Sequence, residues 1–233
     1  LCGRNFEYYS EDPFLTSELA ISFVNGVQKQ NVISCLKHFA CNSNENYRYM
    51  GNSVVDEIAL REIYLKAFER TIKKANPGMV MSSYNLINGE HASENTHLQK
   101  EILRNEWGYD GLVVTDWGGV MTRSKSLLVG NDIEMPGEIP LNKNEALNAY
   151  NNGSLSLECI DKSVTRLFEA IGKTRTKSKP DQSIFSENYL YAEKIAEQSL
   201  TLLKNENILP LKKESNVCFI GDYFENPRMQ GGG

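Results

Sequence analysis

The sequence predicts an α/β protein whose strands run parallel. Short apolar runs at residues 32–36, 79–83 and 111–115 recur at intervals of roughly 30 to 45 residues, which leaves room for a helical crossover between successive strands. None of the three alternates apolar with polar residues, the pattern expected of strands covered on both faces. Reactive residue types stand at the end of each run: Lys37-His38, Tyr84 and Asp116-Trp117.

Each element has its own signal. Asp12-Pro13 opens the first helix, an acid in the capping position followed by proline at the first helical residue. Leu15, Leu19, Phe23, Val24 and Val27 recur at helical spacing and predict one inward apolar face through about residue 30. The first strand, Val-Ile-Ser-Cys-Leu at 32–36, leads to Lys37-His38 and a polar loop at 42–53 that carries Glu45 and Arg48. Residues 54–75 predict an amphipathic helix with Val55, Ile58, Ile63, Ala67, Phe68 and Ile72 inward, broken by Asn76-Pro77-Gly78. The second strand ends at Tyr84-Asn85, a helix follows over about 95–107, Gly108 closes it, and the third strand ends at Asp116. Residues 129–135 predict a weak further strand, and 155–174 another helix. The stretch 174–183 has no apolar residue and reads as linker. A helix at 186–198, the apolar residues 200–203 and a strand at 217–221 then begin a second α/β unit, dividing the chain at 1–173, 174–185 and 186–233.

Composition narrows the function. The chain has 233 residues, 25 Lys+Arg against 30 Asp+Glu, and a formal net charge of −5. That balance argues against a nucleic-acid partner held by phosphate neutralisation. No apolar run approaches the ~18 residues of a membrane span, so no membrane partner is expected. Five scattered cysteines (Cys2, Cys35, Cys41, Cys159, Cys218) without a CxxC pair suit neither a disulfide framework nor a zinc site. They read as free thiols of a reducing, cytoplasmic compartment. His38, His91 and His97 lack a spaced third ligand, and no metal or cofactor is expected. The first residues read as a turn in mid-sequence and the last as a glycine loop, so the chain is expected to be a segment of a longer protein, poorly soluble or self-associating if expressed alone.

Strand ends in a parallel barrel converge on one face where a site is built, and a doubly wound open sheet likewise places ligands at strand carboxyl ends. A phosphosugar or nucleotide enzyme on the open sheet lacks a GxGxxG or GxxxxGK[ST] signature here. Asp116 sits between an apolar strand and a tryptophan, with Lys37, His38 and Arg48 as the cations that keep it ionised. A charged, oriented carboxylate suits attack on a sugar's anomeric carbon, with Trp117 on the apolar face of the ring. Lys37-His38 and the fork of Arg48 suit vicinal hydroxyls. Taken singly, each residue also has a plain structural reading, as a capping aspartate, a satisfied histidine or a surface ion pair.

The blocks Gly3-Arg4-Asn5-Phe6-Glu7-Tyr8-Tyr9-Ser10-Glu11-Asp12-Pro13, Lys37-His38-Phe39-Ala40, Glu45-Asn46-Tyr47-Arg48, Met81-Ser82-Ser83-Tyr84-Asn85 and Thr115-Asp116-Trp117, in that order, resemble glycoside hydrolase family 3. The resemblance extends through Gly130-Asn131-Asp132-Ile133-Glu134-Met135-Pro136 to Gln230-Gly231-Gly232-Gly233. It implies a (β/α)8-type barrel, of which residues 1–173 would be the C-terminal part, followed by an α/β sandwich starting near 186. It further implies a retaining exo-acting β-glycosidase that releases a terminal sugar from a β-linked glucoside or oligosaccharide. Asp116 matches the nucleophile. Arg4, Lys37, His38 and Arg48 match residues that hydrogen-bond the sugar hydroxyls, and Tyr84, Met81 and Trp117 match the nucleophile's neighbours. Lys37-His38-Phe39-Ala40-Cys41-Asn42 fits the β-glucosidase or β-xylosidase branch better than the N-acetylglucosaminidase branch. The resemblance places the acid/base glutamate beyond Gly233. Glu45, Asp132 and Glu134 are weaker candidates, because the family uses those positions structurally. The alternative reading is a sugar-binding or scaffold protein that kept the barrel without the chemistry.

Overall fold

In the computed structural model, residues 3–137, 139–174 and 181–227 are described, and the chain divides into two compact units, Leu1–Lys177 and Ser178–Gly233. In the first unit, helix α1 (Pro13–Gln28) starts as the sequence predicts, with the Asp12 carboxylate accepting from the amides of Phe14 (2.9 Å) and Leu15 (3.3 Å). Its buried face is the predicted one at Val24 but not at the larger residues before it. Ser17, Ala20 and Val24 face inward, while Leu15, Leu19 and Phe23 are exposed. Small residues let α1 approach helix α3 (Lys66–Ala75) closely, and Arg70 Nε donates to Ser17 Oγ across the contact (2.8 Å). The large apolar stripe is left a step round the helix.

Strand β1 (Cys35–Phe39) begins three residues later than predicted. Asn31, in the left-handed region at φ 58°, turns the chain, and pairing with β3 (Met79–Ser82) sets the start through Cys35 opposite Met79. Val32 is consequently exposed, and Lys37 and His38 lie within the strand rather than after it. The register of β1 against β3 shifts between Leu36 and Phe39, and the Lys37-His38 and Phe39-Ala40 peptides are cis. Strand β6 (Leu112–Thr115) pairs with β3, so the sheet order is β1-β3-β6, all parallel as predicted.

A small second sheet was not anticipated. Strands β2 (Asn52–Ser53), β4 (Leu86–Ile87) and β5 (Glu90–His91) pair in the order β2-β4-β5. The β4–β5 hairpin turns on Asn88-Gly89, both at positive φ (50° and 95°), the Asn-Gly chemistry of a two-residue hairpin loop.

The helix predicted at 54–75 is composite. A short α2 (Glu57–Ala59), capped by Asp56, runs into a π-turn (Leu60–Tyr64) before α3. The Leu65 amide bonds the Leu60 carbonyl (2.8 Å), five residues back, so Leu60 and Leu65 both reach the core and Ile58 and Ile63 are turned outward. The helix predicted at 95–107 is also π-helical (Thr96–Glu106), capped by the Asn95 side chain on Leu98 N. Leu60, Leu65, Ile72, Val80, Leu98, Ile102, Leu103 and Val113 pack around Phe39, whose ring meets Phe68 and Trp107 edge-on at 5.2 and 5.9 Å.

Beyond β6 come α4 (Arg123–Leu128) and α5 (Pro140–Asn151), which were not read from the sequence, and α6 (Leu157–Lys173), which was. The strand predicted at 129–135 is reduced to one parallel bridge, Val114 to Ile133. Arginines take the carbonyls there instead: Arg104 donates to Gly130 O (2.6 Å) and Arg123 to Asp132 O (2.6 Å). The fully buried Asp132 carboxylate accepts from Arg104 (2.8 Å) and Val113 N (2.8 Å) on one oxygen, and from Arg166 (2.8 Å) and Ser163 (3.0 Å) on the other. Glu134 is held by Asn142 and lies 3.9 Å from Arg123. Both acids are thus committed to packing and loop placement.

In the second unit, α7 (Ser183–Ser199) starts inside the stretch read as linker, of which 175–180 lie outside the described residues. Residues 217–221 form no strand, because this unit offers them no partner strand among the described residues. A last short helix, α8 (Asp222–Glu225), follows, with Phe224 stacked on Phe219 at 3.8 Å. The terminal glycines lie outside the described residues. Cys35, Cys41, Cys159 and Cys218 are free thiols. Among the described residues, no helix is long and apolar enough to cross a membrane, and no cluster of three or more His, Cys, Asp or Glu is arranged for a metal.

Candidate active site

The parallel sheet gathers His38 from β1, Tyr84 from just after β3 and Asp116 from the end of β6. The Asp116 amide continues the ladder by bonding Ser82 O (3.2 Å), which fixes the backbone where the acid departs. A tight turn follows: Gly119 N bonds Asp116 O (2.9 Å), and Gly118 sits at φ 73°, a conformation that disfavours a side chain. The segment around Ile133 braces this turn, with Gly118 N bonding Met135 O (2.8 Å) and Met135 N bonding Thr115 Oγ1 (3.0 Å).

The two Asp116 oxygens differ in how they are held. Oδ1 accepts from the Tyr84 hydroxyl (2.9 Å) and from Trp117 N (2.8 Å). Among the described residues, Oδ2 is paired with His38 Nε2 alone, at 3.5 Å. Two donors therefore fix the carboxylate plane and leave the second oxygen available to a ligand. Burial first, then the hydrogen bond to Asp116 and its charge, raise the Tyr84 phenol well above its ordinary value, so it stays protonated and donates.

His38 is buried, and the Arg4 guanidinium straddles its ring, with Nη2 2.9 Å from Nδ1 and 3.1 Å from Nε2. Burial, then the charges of Arg4 and Lys37, push the imidazole down to about 4, against opposing effects of Asp116 and Glu7. The ring is neutral at neutral pH. Each ring nitrogen also has a carboxylate at 3.5 Å, Glu7 beside Nδ1 and Asp116 beside Nε2, so the ring sits between two acids with Arg4 close to both nitrogens.

Arg4, itself buried, donates to Glu7 (2.7 Å), and its Nη1 lies 3.0 Å from Glu45 Oε1. The other Glu45 oxygen accepts from Arg48 (3.2 Å). The Arg48 guanidinium lies over the Tyr84 ring at 4.8 Å, and Tyr49 packs on the same ring at 4.5 Å. The side chains form a closed circuit: Asp116, His38, Arg4, Glu45, Arg48, Tyr84 and back to Asp116.

Of the residues singled out in the sequence, Arg4, His38, Arg48, Tyr84 and Asp116 are brought together in this circuit. Lys37 is exposed and forms no hydrogen bond or ion pair with Asp116, though its charge bears on His38, Glu7 and Cys35. Met81 is half-buried opposite Val114, and the Trp117 side chain is half-exposed. The expected cationic surround of Asp116 needs correction. His38 carries no charge, the Arg48 charge is matched by Glu45, and the buried cation nearest in the network is Arg4. Glu7 and Tyr49 were given no role from sequence. The i, i+3 spacing of Arg4 and Glu7 was a usable signal for the first, and the Arg48-Tyr49 pair a faint one for the second.

The site is thus a largely buried carboxylate at a parallel-strand end, held among a tyrosine, a histidine and two arginines. The model of the glycosyl hydrolase family 3 N terminal domain matches residues 2–170, and the chain belongs to that family. It is 45% identical over its whole length to thermostable beta-glucosidase B of Acetivibrio thermocellus, spanning 31% of that protein. It is 38% identical to an exo-alpha-(1->6)-L-arabinopyranosidase of Bifidobacterium longum, spanning 32% of it. Among solved structures, beta-glucosidase 3B of Thermotoga neapolitana in complex with glycerol superposes with a TM-score of 0.85 at 41% identity, over 92% of this chain and 32% of that one. The GH3 beta-glucosidase of Bifidobacterium adolescentis gives 0.88 at 37% identity, over 99% and 34%. The chain thus spans about a third of the length of these relatives.

Proposed function

We propose that this chain is the nucleophile-bearing part of a retaining exo-acting β-glycoside hydrolase whose first substrate class is β-glucosides. The observation that carries the reading is the unequal holding of Asp116: Oδ1 is fixed by two donors and Oδ2 is left open beside a neutral His38. Asp116 Oδ2 attacks the anomeric carbon, the bond to the leaving oxygen breaks, and that oxygen takes a proton from a general acid. Water then attacks the glycosyl-aspartate, giving up its proton to the same group and releasing the sugar. The resemblance to the family assigns the acid/base glutamate to sequence beyond Gly233. Glu45, Asp132 and Glu134 are all engaged by arginine or asparagine, and a retaining pair stands about 5–5.5 Å apart across the bond.

Arg4, Lys37, His38 and Arg48 are proposed to bind the hydroxyls of the terminal sugar, with Met81 and Trp117 on its apolar faces. The three parallel strands are read as part of a (β/α)8 barrel: Leu36, Val80 and Val113 share the sheet face packed against helices, and Cys35, Met79 and Leu112 share the other. The likeness to beta-glucosidases supports glucose as the glycone, and the likeness to the arabinopyranosidases makes the glycone the point to test.

The test is covalent trapping. In the full-length protein, a 2-fluoro β-glucoside with a good leaving group should label Asp116, and Asp116→Asn should lose both labelling and turnover of nitrophenyl β-glycosides. Label on another carboxylate overturns the assignment.

A further inference from the structure

We propose that Glu45 is a positioning residue for the glycosidic site, holding Arg4 and Arg48 in register with each other and, through them, the two sides of Asp116. The inference rests on the reading of Asp116 as nucleophile. Glu45 stands opposite Asp116 in the circuit and is its other bridging carboxylate. One oxygen forms an ion pair with Arg4 Nη1 at 3.0 Å, without hydrogen-bond alignment, and the other accepts a hydrogen bond from Arg48 Nη1 at 3.2 Å. From Arg4 the circuit runs to His38, at 2.9 Å, and on to Asp116 Oδ2. From Arg48 it runs over the Tyr84 ring, at 4.8 Å, to Asp116 Oδ1.

The two arginines come from separate segments: Arg4 precedes α1, and Arg48 lies in the loop after β1. Among the described residues, Glu45 is the side chain that pairs with both. Arg4 has Glu7 as a second acid partner, whereas the carboxylate paired with Arg48 is Glu45. A carboxylate paired by charge with two guanidinium groups, and hydrogen-bonded to one of them, is poorly placed to carry a proton to a leaving group, but well placed to hold the two forks near each other. That spacing decides whether hydroxyls on opposite edges of one pyranose are met together.

The test compares wild type, Glu45→Gln and Glu45→Asp in the full-length protein on aryl β-glucosides ranging from dinitrophenyl to phenyl. Loss of one charge-assisted contact set should lower kcat/KM about 10- to 100-fold. The loss should be equal across leaving groups, unrelieved by azide, with much of it in KM and in the rate of labelling by the 2-fluoro glucoside. Glu45→Asp, which keeps the charge, should recover part of it and serves as the reporter if the glutamine form does not fold. A loss that vanishes on the dinitrophenyl substrate, or azide rescue, makes Glu45 an acid/base and overturns the proposal, as does unchanged kcat/KM. Wild type that hydrolyses none of these substrates and takes no label refutes the glycosidase reading instead.

Discussion

Tyr84 donates a 2.9 Å hydrogen bond to Asp116 Oδ1 from a ring that is itself buried. Because its phenol is raised, the bond persists across the working pH range. Tyr84→Phe leaves Trp117 N as the remaining donor to that oxygen. A hydrogen bond to a charged group contributes ~1.5–3 kcal/mol, so kcat/KM on an aryl β-glucoside should fall roughly 10- to 100-fold. Steady-state kinetics of the full-length variant checks this, with kcat expected to fall more than KM rises.

Asp132 has no exposed side-chain surface and is shared by Arg104 and Arg166. Asp132→Asn leaves the Arg104 guanidinium, 8% exposed, and the partly exposed Arg166 with one fewer charge between them. Breaking a buried pair in this way costs ~3–5 kcal/mol, seen as a lowered midpoint in urea unfolding. A midpoint within error of wild type would remove the structural role given to this acid.

The π-turn makes a stability prediction of its own. Leu65 is fully buried and Ile58 is 71% exposed. Leu65→Ala should cost ~2–5 kcal/mol, whereas Ile58→Ala should stay within about 0.5 kcal/mol. Equal costs at the two positions would place the helix in the uninterrupted phase that the sequence alone suggests.

His38 links the site to pH. Its folded value, about 4, lies below the ordinary histidine value near 6.5, so between these limits the unfolded chain binds more protons. Stability from this group is complete above about 6.5 and is lost as pH falls toward about 4. Arg4, Asp116 and Glu7 lie against the ring and the Lys37 charge acts on it, and Glu7, which burial raises but Arg4 lowers on balance, adds loss of the same sign at lower pH. His97 acts oppositely. Its hydrogen bond to Glu101 raises it, and its contribution is lost as pH rises. Denaturation across this window should show a shallower slope for His38→Gln than for wild type, with the His97 contribution common to both.

Much of the site was legible because chemistry clusters at strand ends: Tyr84 and Asp116-Trp117 fall where the apolar runs at 79–83 and 111–115 stop, and the parallel order follows from their spacing. Helix phase was not legible. Leu15, Leu19 and Phe23 form an apolar stripe, yet the small residues Ser17 and Ala20 set the face of closest approach, and a π-turn moves Leu60 and Leu65 inward past Ile58 and Ile63. The start of β1 depended on its partner, since pairing with Met79 and not the apolar run decides that Cys35 comes first. Residues 217–221 show the same rule in reverse: an apolar run without a neighbour to pair with is not a strand. The charge state of His38 could not be read from composition, because burial and the adjacent arginine override the residue's ordinary basicity.

The Asp132 hub has a reach beyond its own neighbourhood. Ser163 and Arg166 on α6 grip the same carboxylate that receives the amide of Val113, three residues before Asp116. The outer layer of the fold is thereby moored to the strand that presents the acid. A substitution on α6 would therefore disturb the strand end from which Asp116 departs, and under the proposed function an engineer repacking that remote surface would be retuning catalysis unawares.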